Sequence, residues 1–261
     1  MSTVNLHRRG AGAVIELNRP ETMNAWNKEF GADLLDAVQT AAGDPEIRAV
    51  MITGAGRGFS SGADLKAGFD PTPEGRPDVI TVLRERYHPI ITGIRRMEKP
   101  VLAAVNGPAV GIGCSLALAS DLVIAAESAY FLLAFANIGL VPDGGSSVFV
   151  PVRAGHARAA EMAMLAERLP APQALEWGLI NRVVADDGLA DEAGSLLDRL
   201  AAGPTRSYAG IKRQLNAWIY RGMEEQLEVE AQIQQEQAAS EDFVEGVTAF
   251  LQKRAPRFRG G

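Results

Sequence analysis

Asp143 is the residue whose neighbours best equip it for chemistry. It lies in the turn Gly139-Leu140-Val141-Pro142-Asp143-Gly144-Gly145 and is the only acid of that stretch. Phe135, Ile138, Leu140 and Val141 flank it in sequence. Apolar surroundings disfavour a carboxylate's charge and move its proton affinity toward neutrality, where a general base works. The competing use is as a turn acid or N-cap ahead of Gly144-Gly145-Ser146-Ser147. Upstream, Gly111-Ile112-Gly113 opens a run of small residues that suits a helix entered by bare backbone, its first N–H groups unpaired. A carboxylate, an apolar pocket and a helix start are the parts needed to hold a developing oxyanion and move a proton. The glycines serve either the approach of a ligand to the backbone or close packing alone.

Asp64 and Asp121 each precede an apolar run, where capping or a structural ion pair is the expected use. His88 is either a buried, hydrogen-bonded histidine or a group facing the pocket. Cys114 is the single cysteine, in an apolar run with no base nearby, and reads as a small core residue. One cysteine allows no internal disulfide and no cysteine-cluster metal site. Gly111-Ile112-Gly113 falls short of a dinucleotide fingerprint, because Leu116 stands where the third glycine belongs. No phosphate-binding loop, zinc motif or nucleophile elbow is present, so no metal is expected.

The elements that must position these residues alternate between strand and helix. Ala13–Leu17 reads as a first strand, Lys28–Ala42 as an amphipathic helix, and Ala49–Thr53 as a strand feeding the glycine-rich turn Gly54–Leu65. Asp70–Asp78 is a polar Pro/Gly loop, and Val79–Met97 is helical with a kink or restart at His88-Pro89. Lys99–Ser147 reads as strand, turn, helix, strand, loop, helix, with Val101–Val105 buried on both faces. Helices follow over His156–Glu167, Pro172–Trp177 and Leu189–Ala202, with a short strand at Ile180–Val184. Thr205 to about Gln237 is one long helical pattern, and Phe243–Lys253 closes the chain. Repeated strand–loop–helix units predict a parallel sheet with function at the loops after its strands. From Ala154 onward the chain is nearly all helix.

At 261 residues the chain can bury a large core. Its net charge of −6 gives no general attraction to nucleic acid or anionic lipid, so neither is an expected partner. Met1–Arg9 is polar with no apolar stretch behind it, which together with the cysteine count points to the cytoplasm. The uncharged span Val101–Ser120 is long enough for a membrane helix, but Asn106, Gly107, Pro108, Gly111 and Gly113 interrupt it, and no membrane span is expected.

Six short stretches in order carry a resemblance: Asn18-Arg19-Pro20 with Asn24-Ala25, Phe59–Leu65, Lys99-Pro100-Val101 through Asn106-Gly107, Gly139–Pro142, Ala174–Ile180 and Ala249–Arg254. Together they resemble the enoyl-CoA hydratase/isomerase (crotonase) family over nearly the whole chain. The resemblance implies an α/β fold with a spiral of repeated ββα units over residues 1–200. It implies a C-terminal helical region over 201–261 that trimerises, often into a dimer of trimers. The implied substrate is an acyl thioester of coenzyme A, with the coenzyme part of the substrate and no separate cofactor. Position by position, the resemblance makes the backbone N–H groups of Ala63 and Ile112 an oxyanion hole. It lays adenine and pantetheine along Met23, Asn24 and Ala25 and along Ala63, Asp64 and Leu65. Phe250 and Lys253 resemble the pair with which a C-terminal helix, often a neighbour's, covers the nucleotide.

Hydratases of the family carry two glutamates, and these fall at Ser115 and Phe135 here, so both are missing. Asp143 instead stands where isomerase-like members and the ring-epoxide isomerases of phenylacetate breakdown place their acid. The resemblance therefore implies an acyl-CoA isomerase with Asp143 as proton shuttle. Three alternatives stay open: a hydratase with a reduced set of acids, an aryl-CoA dehalogenase-like hydrolase aided by His88, and an acyl-CoA-binding scaffold without turnover.

Overall fold

A computed structural model describes residues 2–261. The chain opens on an antiparallel hairpin, β1 (Val4–Arg9) and β2 (Gly12–Leu17), so the expected first strand is the second. Val-Asn-Leu-His-Arg-Arg escapes a pattern reading because it is an edge strand, half-exposed and mostly polar. Helix α1 (Lys28–Gly43) buries Phe30, Leu34 and Val38, and Asn27 caps it by accepting from the Phe30 N–H. Strand β3 (Ala49–Gly54) then lies parallel to β2.

Val79–Arg96 is helical throughout, as α2 (Val79–Val82), a widened turn (Leu83–Tyr87) and α3 (His88–Arg96). In the widened turn the His88 N–H reaches back five residues to the Leu83 carbonyl. Pro89 has no N–H and its ring would press on the carbonyl four residues earlier, and the wider turn absorbs both. It also aims Leu83 and Tyr87 inward.

Strand β4 (Val101–Val105) is buried at every position. Then come β5 (Ala109–Val110), α4 (Ile112–Ala119), β6 (Leu122–Ala126), β7 (Tyr130–Leu132), α5 (Ser146–Ala154), α6 (His156–Leu165), β8 (Leu169–Pro170), α7 (Ala171–Glu176) and β9 (Arg182–Val184). The main sheet runs β1-β2-β3-β4-β6-β9, parallel after its first pair, and a small sheet runs β5-β7-β8. The parallel sheet was legible in the sequence; the two- and three-residue strands of the small sheet were not.

Four helices close the chain: α8 (Leu189–Ala202), α9 (Thr205–Ile219), α10 (Met223–Ala238) and α11 (Glu241–Leu251). The long pattern from Thr205 is thus two helices, broken at Tyr220-Arg221-Gly222. Tyr220 packs edge-on against Phe149 and lies under the Arg95 guanidinium, which fixes the break. Helical periodicity on both sides hides such a corner from a sequence reading. Asp121 takes the structural fate expected of it, accepting from Arg95 at 3.0 Å and pairing with Lys212 at 2.8 Å. Among the described residues no helix is long and apolar enough to cross a membrane.

Candidate active site

The loops after β3 and β4 lie side by side. The Phe59 and Ser60 N–H groups donate to Pro108 O, and the Val110 N–H donates to Ser60 O at 2.9 Å. Asn24 ties this assembly from behind: its amide nitrogen reaches Ala55 O, Gly58 O and Phe59 O at 2.8–3.1 Å, and its oxygen accepts from the Arg19 N–H. Asn24 is fully buried and its side-chain polar groups are spent on protein, which makes it a staple of these loops. Ala25 is buried too, its carbonyl taking the Arg19 guanidinium at 2.6 Å. Asp64 faces the same guanidinium at 3.1 Å.

Trp26 donates its N–H to Gly62 O at 2.8 Å and accepts from the Asp64 N–H at 2.9 Å. That bridge directs the N–H of the intervening Ala63 to the opposite side. Ile112 is the first residue of α4, so its N–H is one that the helix cannot satisfy. Each follows a glycine with a positive φ, Gly62 at +87° and Gly111 at +53°. The two glycines approach so closely that a Cβ on Gly111 would meet Gly62 Cα at 3.9 Å. Ala63 and Ile112 line one cavity, and neither N–H has a protein acceptor among the described residues.

Asp143 comes from the loop before α5. It does not cap that helix, whose N-terminal position is Gly145. Its carbonyl is held instead by Ser115 Oγ at 2.7 Å and Ser146 Oγ at 2.8 Å. Ser115, fully buried at the position where the resemblance puts a hydratase carboxylate, thus braces the Asp143 loop. The Asp143 side chain is only 4 % exposed. Oδ2 accepts from Gln234 Nε2 at 2.8 Å, while Oδ1 is buried without a protein partner. Burial pushes its pKa up to about 8; the Gln234 hydrogen bond pulls against that rise, and nearby Glu230 adds to it. Glu230 on α10 accepts from the Gly145 and Ser147 N–H groups and Ser147 Oγ, and burial raises it to about 7.

A cavity of about 340 Å³ joins these parts. Ala63, Ile112 and Asp143 line it together with a mostly apolar wall that includes Leu83, Tyr87 and Phe135. Phe135 therefore fills the second place where a hydratase glutamate was sought. Met23, Leu65 and Phe250 also line the cavity, Phe250 with much of its ring still exposed. Lys253 lies outside it, exposed beyond the end of α11. His88 is not among the lining residues; burial holds it down at about 4, and Nε2 has no protein partner. Cys114 is buried in the core with its thiol pushed up to about 12 by burial. Gln234, Glu230 and Tyr87 went unnoticed in the sequence. On α10 the two polar residues sit among Glu and Gln on every face, and only their burial sets them apart.

The arrangement sets one buried carboxylate and the Ala63 and Ile112 backbone on the wall of one mostly apolar cavity. The chain matches the model of the family described as enoyl-CoA hydratase/isomerase over residues 8–261. It is 43% identical over 247 residues, 94% of each chain, to the 1,2-epoxyphenylacetyl-CoA isomerase of Escherichia coli. It is 45% identical over 248 residues to a probable enoyl-CoA hydratase of Rhodobacter capsulatus, covering 95% of this chain and 94% of the relative. The crystal structure of an enoyl-CoA hydratase from Mycobacterium avium subsp. paratuberculosis superposes with a TM-score of 0.90 at 38% identity, over 99% of both chains. The protein belongs to the enoyl-CoA hydratase/isomerase (crotonase) family and has its fold.

Proposed function

We propose that this protein is an acyl-CoA isomerase in which Asp143 carries a proton from one carbon of the acyl chain to another. The observation that supports it most is the single carboxylate on the cavity wall, with one oxygen unpartnered, beside two free backbone N–H groups. Ionised Asp143 takes a proton from C2 of a 3-enoyl thioester, and the C–H electron pair forms the enolate. Negative charge gathers on the thioester oxygen, where the Ala63 and Ile112 N–H groups receive it; each such donor is typically worth about 3–4 kcal/mol. As the enolate collapses, the double bond forms between C2 and C3 and C4 takes the proton back from Asp143. Among the described residues no second acid lines the cavity to orient water, which favours isomerisation over hydration.

The aromatic and aliphatic wall, with the relatedness to an epoxyphenylacetyl-CoA isomerase, favours a second reading in which the acyl group derives from a ring. The dehalogenase-like reading loses support because His88 does not line the cavity. The test is to supply a 3-enoyl-CoA, a 2-enoyl-CoA and an epoxide-bearing aryl acetyl-CoA separately and identify the products. Rearrangement of the first or last should outpace hydration of the second; rapid hydration with no rearrangement contradicts the proposal.

The coenzyme would run past Met23 and Leu65, with Phe250 near the mouth and Lys253 outside to meet phosphate. Residues 201–261 would also be the assembly region. On α9, Ile211, Leu215 and Trp218 share one face and are 52%, 47% and 76% exposed, an unusual cost unless another chain covers them. A trimer or a dimer of trimers is expected by sedimentation at micromolar concentration; a monomer would remove that role.

A further inference from the structure

Asp143 is gripped by a helix far along the chain. Glu230 and Gln234 stand one turn apart on α10, and both are almost fully buried. Each holds a different part of the Asp143 loop. Glu230 takes the N–H groups of Gly145 and Ser147 beyond the acid. Gln234 takes the backbone two residues before the acid and the carboxylate itself. Its Oε1 accepts from the Val141 N–H at 3.1 Å, and its Nε2 donates to Asp143 Oδ2 at 2.8 Å. A backbone N–H can only donate, so the Val141 bond fixes which end of the amide faces the carboxylate.

The consequence is asymmetry within one carboxyl group. Oδ2 is engaged, and Oδ1 is buried with no protein partner, on a residue that lines the cavity. We propose that Gln234 is a positioning residue that pins Asp143 through Oδ2 so that Oδ1 alone exchanges the proton with substrate. This rests on the reading of Asp143 as the base. A donor on the carboxylate also favours its ionised form, which is the form a base needs. A proton shuttled between two carbons must leave and return along one direction, and a carboxyl free to rotate would offer either oxygen at either angle. Proton transfer is sensitive to such misplacement. The other titratable groups facing Asp143 are Glu230 on α10 and Tyr87 on the widened turn; α4 and α5 present the uncharged Ser115 and Ser146.

The test is the pH profile of kcat/KM for isomerisation, which reports groups of the free enzyme, in the intact protein and in Gln234→Met. Methionine keeps the volume and loses both hydrogen bonds. The limb that rises with pH should move upward by roughly one to two pH units, the size of a hydrogen bond to a charged group. Near neutral pH, kcat should fall by about 10- to 100-fold with KM little changed, and part of it should return at alkaline pH as Asp143 ionises. Gln234→Asn, whose amide is drawn back by one methylene, should shift the limb the same way and serves if Gln234→Met does not fold. A folded variant whose limb stays in place, whether or not kcat falls, overturns the proposal, because a purely structural strap would not move a proton affinity. Asp143→Asn separates the two claims. If it keeps full activity, the base is misassigned; if it is inactive while the Gln234 variants keep the parent limb, only the positioning role fails.

Discussion

Asp143→Asn is expected to lower isomerisation of a 3-enoyl-CoA by about 10²- to 10⁴-fold, the range for loss of a general base. The substitution keeps the shape of the side chain, and its amide oxygen can accept from Gln234 where Oδ2 did. Binding of the acyl-CoA should therefore change little, as read from KM or from displacement of a product analogue. The same change should alter how stability depends on pH. Asp143 has a folded proton affinity raised to about 8, against roughly 3.9 for an unfolded aspartate. Its contribution to stability is thus fully present below about pH 4 and is lost as pH rises through about 8. Asparagine carries no such penalty. The variant should melt higher than the parent at pH 9, by at least about 2–4 °C, the shift 1 kcal/mol gives a chain of this size. Below about pH 4 the two should be nearly equal. A gain of stability at high pH with a loss of rate is what a functional buried charge produces.

Gly62→Ala is expected to lower kcat by about 10²- to 10³-fold, as loss of one oxyanion donor does. Gly62 has φ of +87°, a conformation side chains rarely adopt, and an added Cβ would meet Val110 O at 2.9 Å. Backbone oxygen cannot step aside as a flexible side chain can, so the Gly62–Ala63 segment must pull back from Gly111. The Ala63 N–H moves with it, away from the Ile112 N–H. Asn24 and the bonds to Pro108 still hold the rest of the loop, so the fold should survive with a modest drop in melting temperature. Steady-state kinetics against acyl-CoA binding checks this: kcat should drop far more than affinity. Parent-like kcat in a folded Gly62→Ala protein would mean that the Ala63 N–H does not carry the developing charge.

The sequence made the sheet legible because its central strands are continuous buried runs, as in Val101–Val105, and each ends in a glycine-rich turn. The apolar setting of Asp143 was legible for a similar reason: Phe135, Ile138 and Leu140, near it in sequence, line the same cavity. What stayed hidden arises between distant segments. Gln234 and Glu230 meet the acid loop from some ninety positions away, and on a helix dense in Glu and Gln nothing local marks them as buried. The use of the Asn24 side chain was hidden in the same way: its amide satisfies carbonyls some thirty positions on, which the loop leaves open. For His88 the sequence leaves two uses open, and the widened turn before Pro89 sends Tyr87 rather than His88 to the cavity wall.

The most direct measurement is exchange of the substrate C2 proton with deuterated water, followed by nuclear magnetic resonance over pH 6–10 in the parent protein and in Asp143→Asn. Expected is exchange in the parent that rises with pH along a limb near the proton affinity of Asp143, about 8, and falls in the variant in parallel with isomerisation. Exchange that continues in Asp143→Asn at the parent rate and with the parent limb would contradict the assignment and place the base on another group.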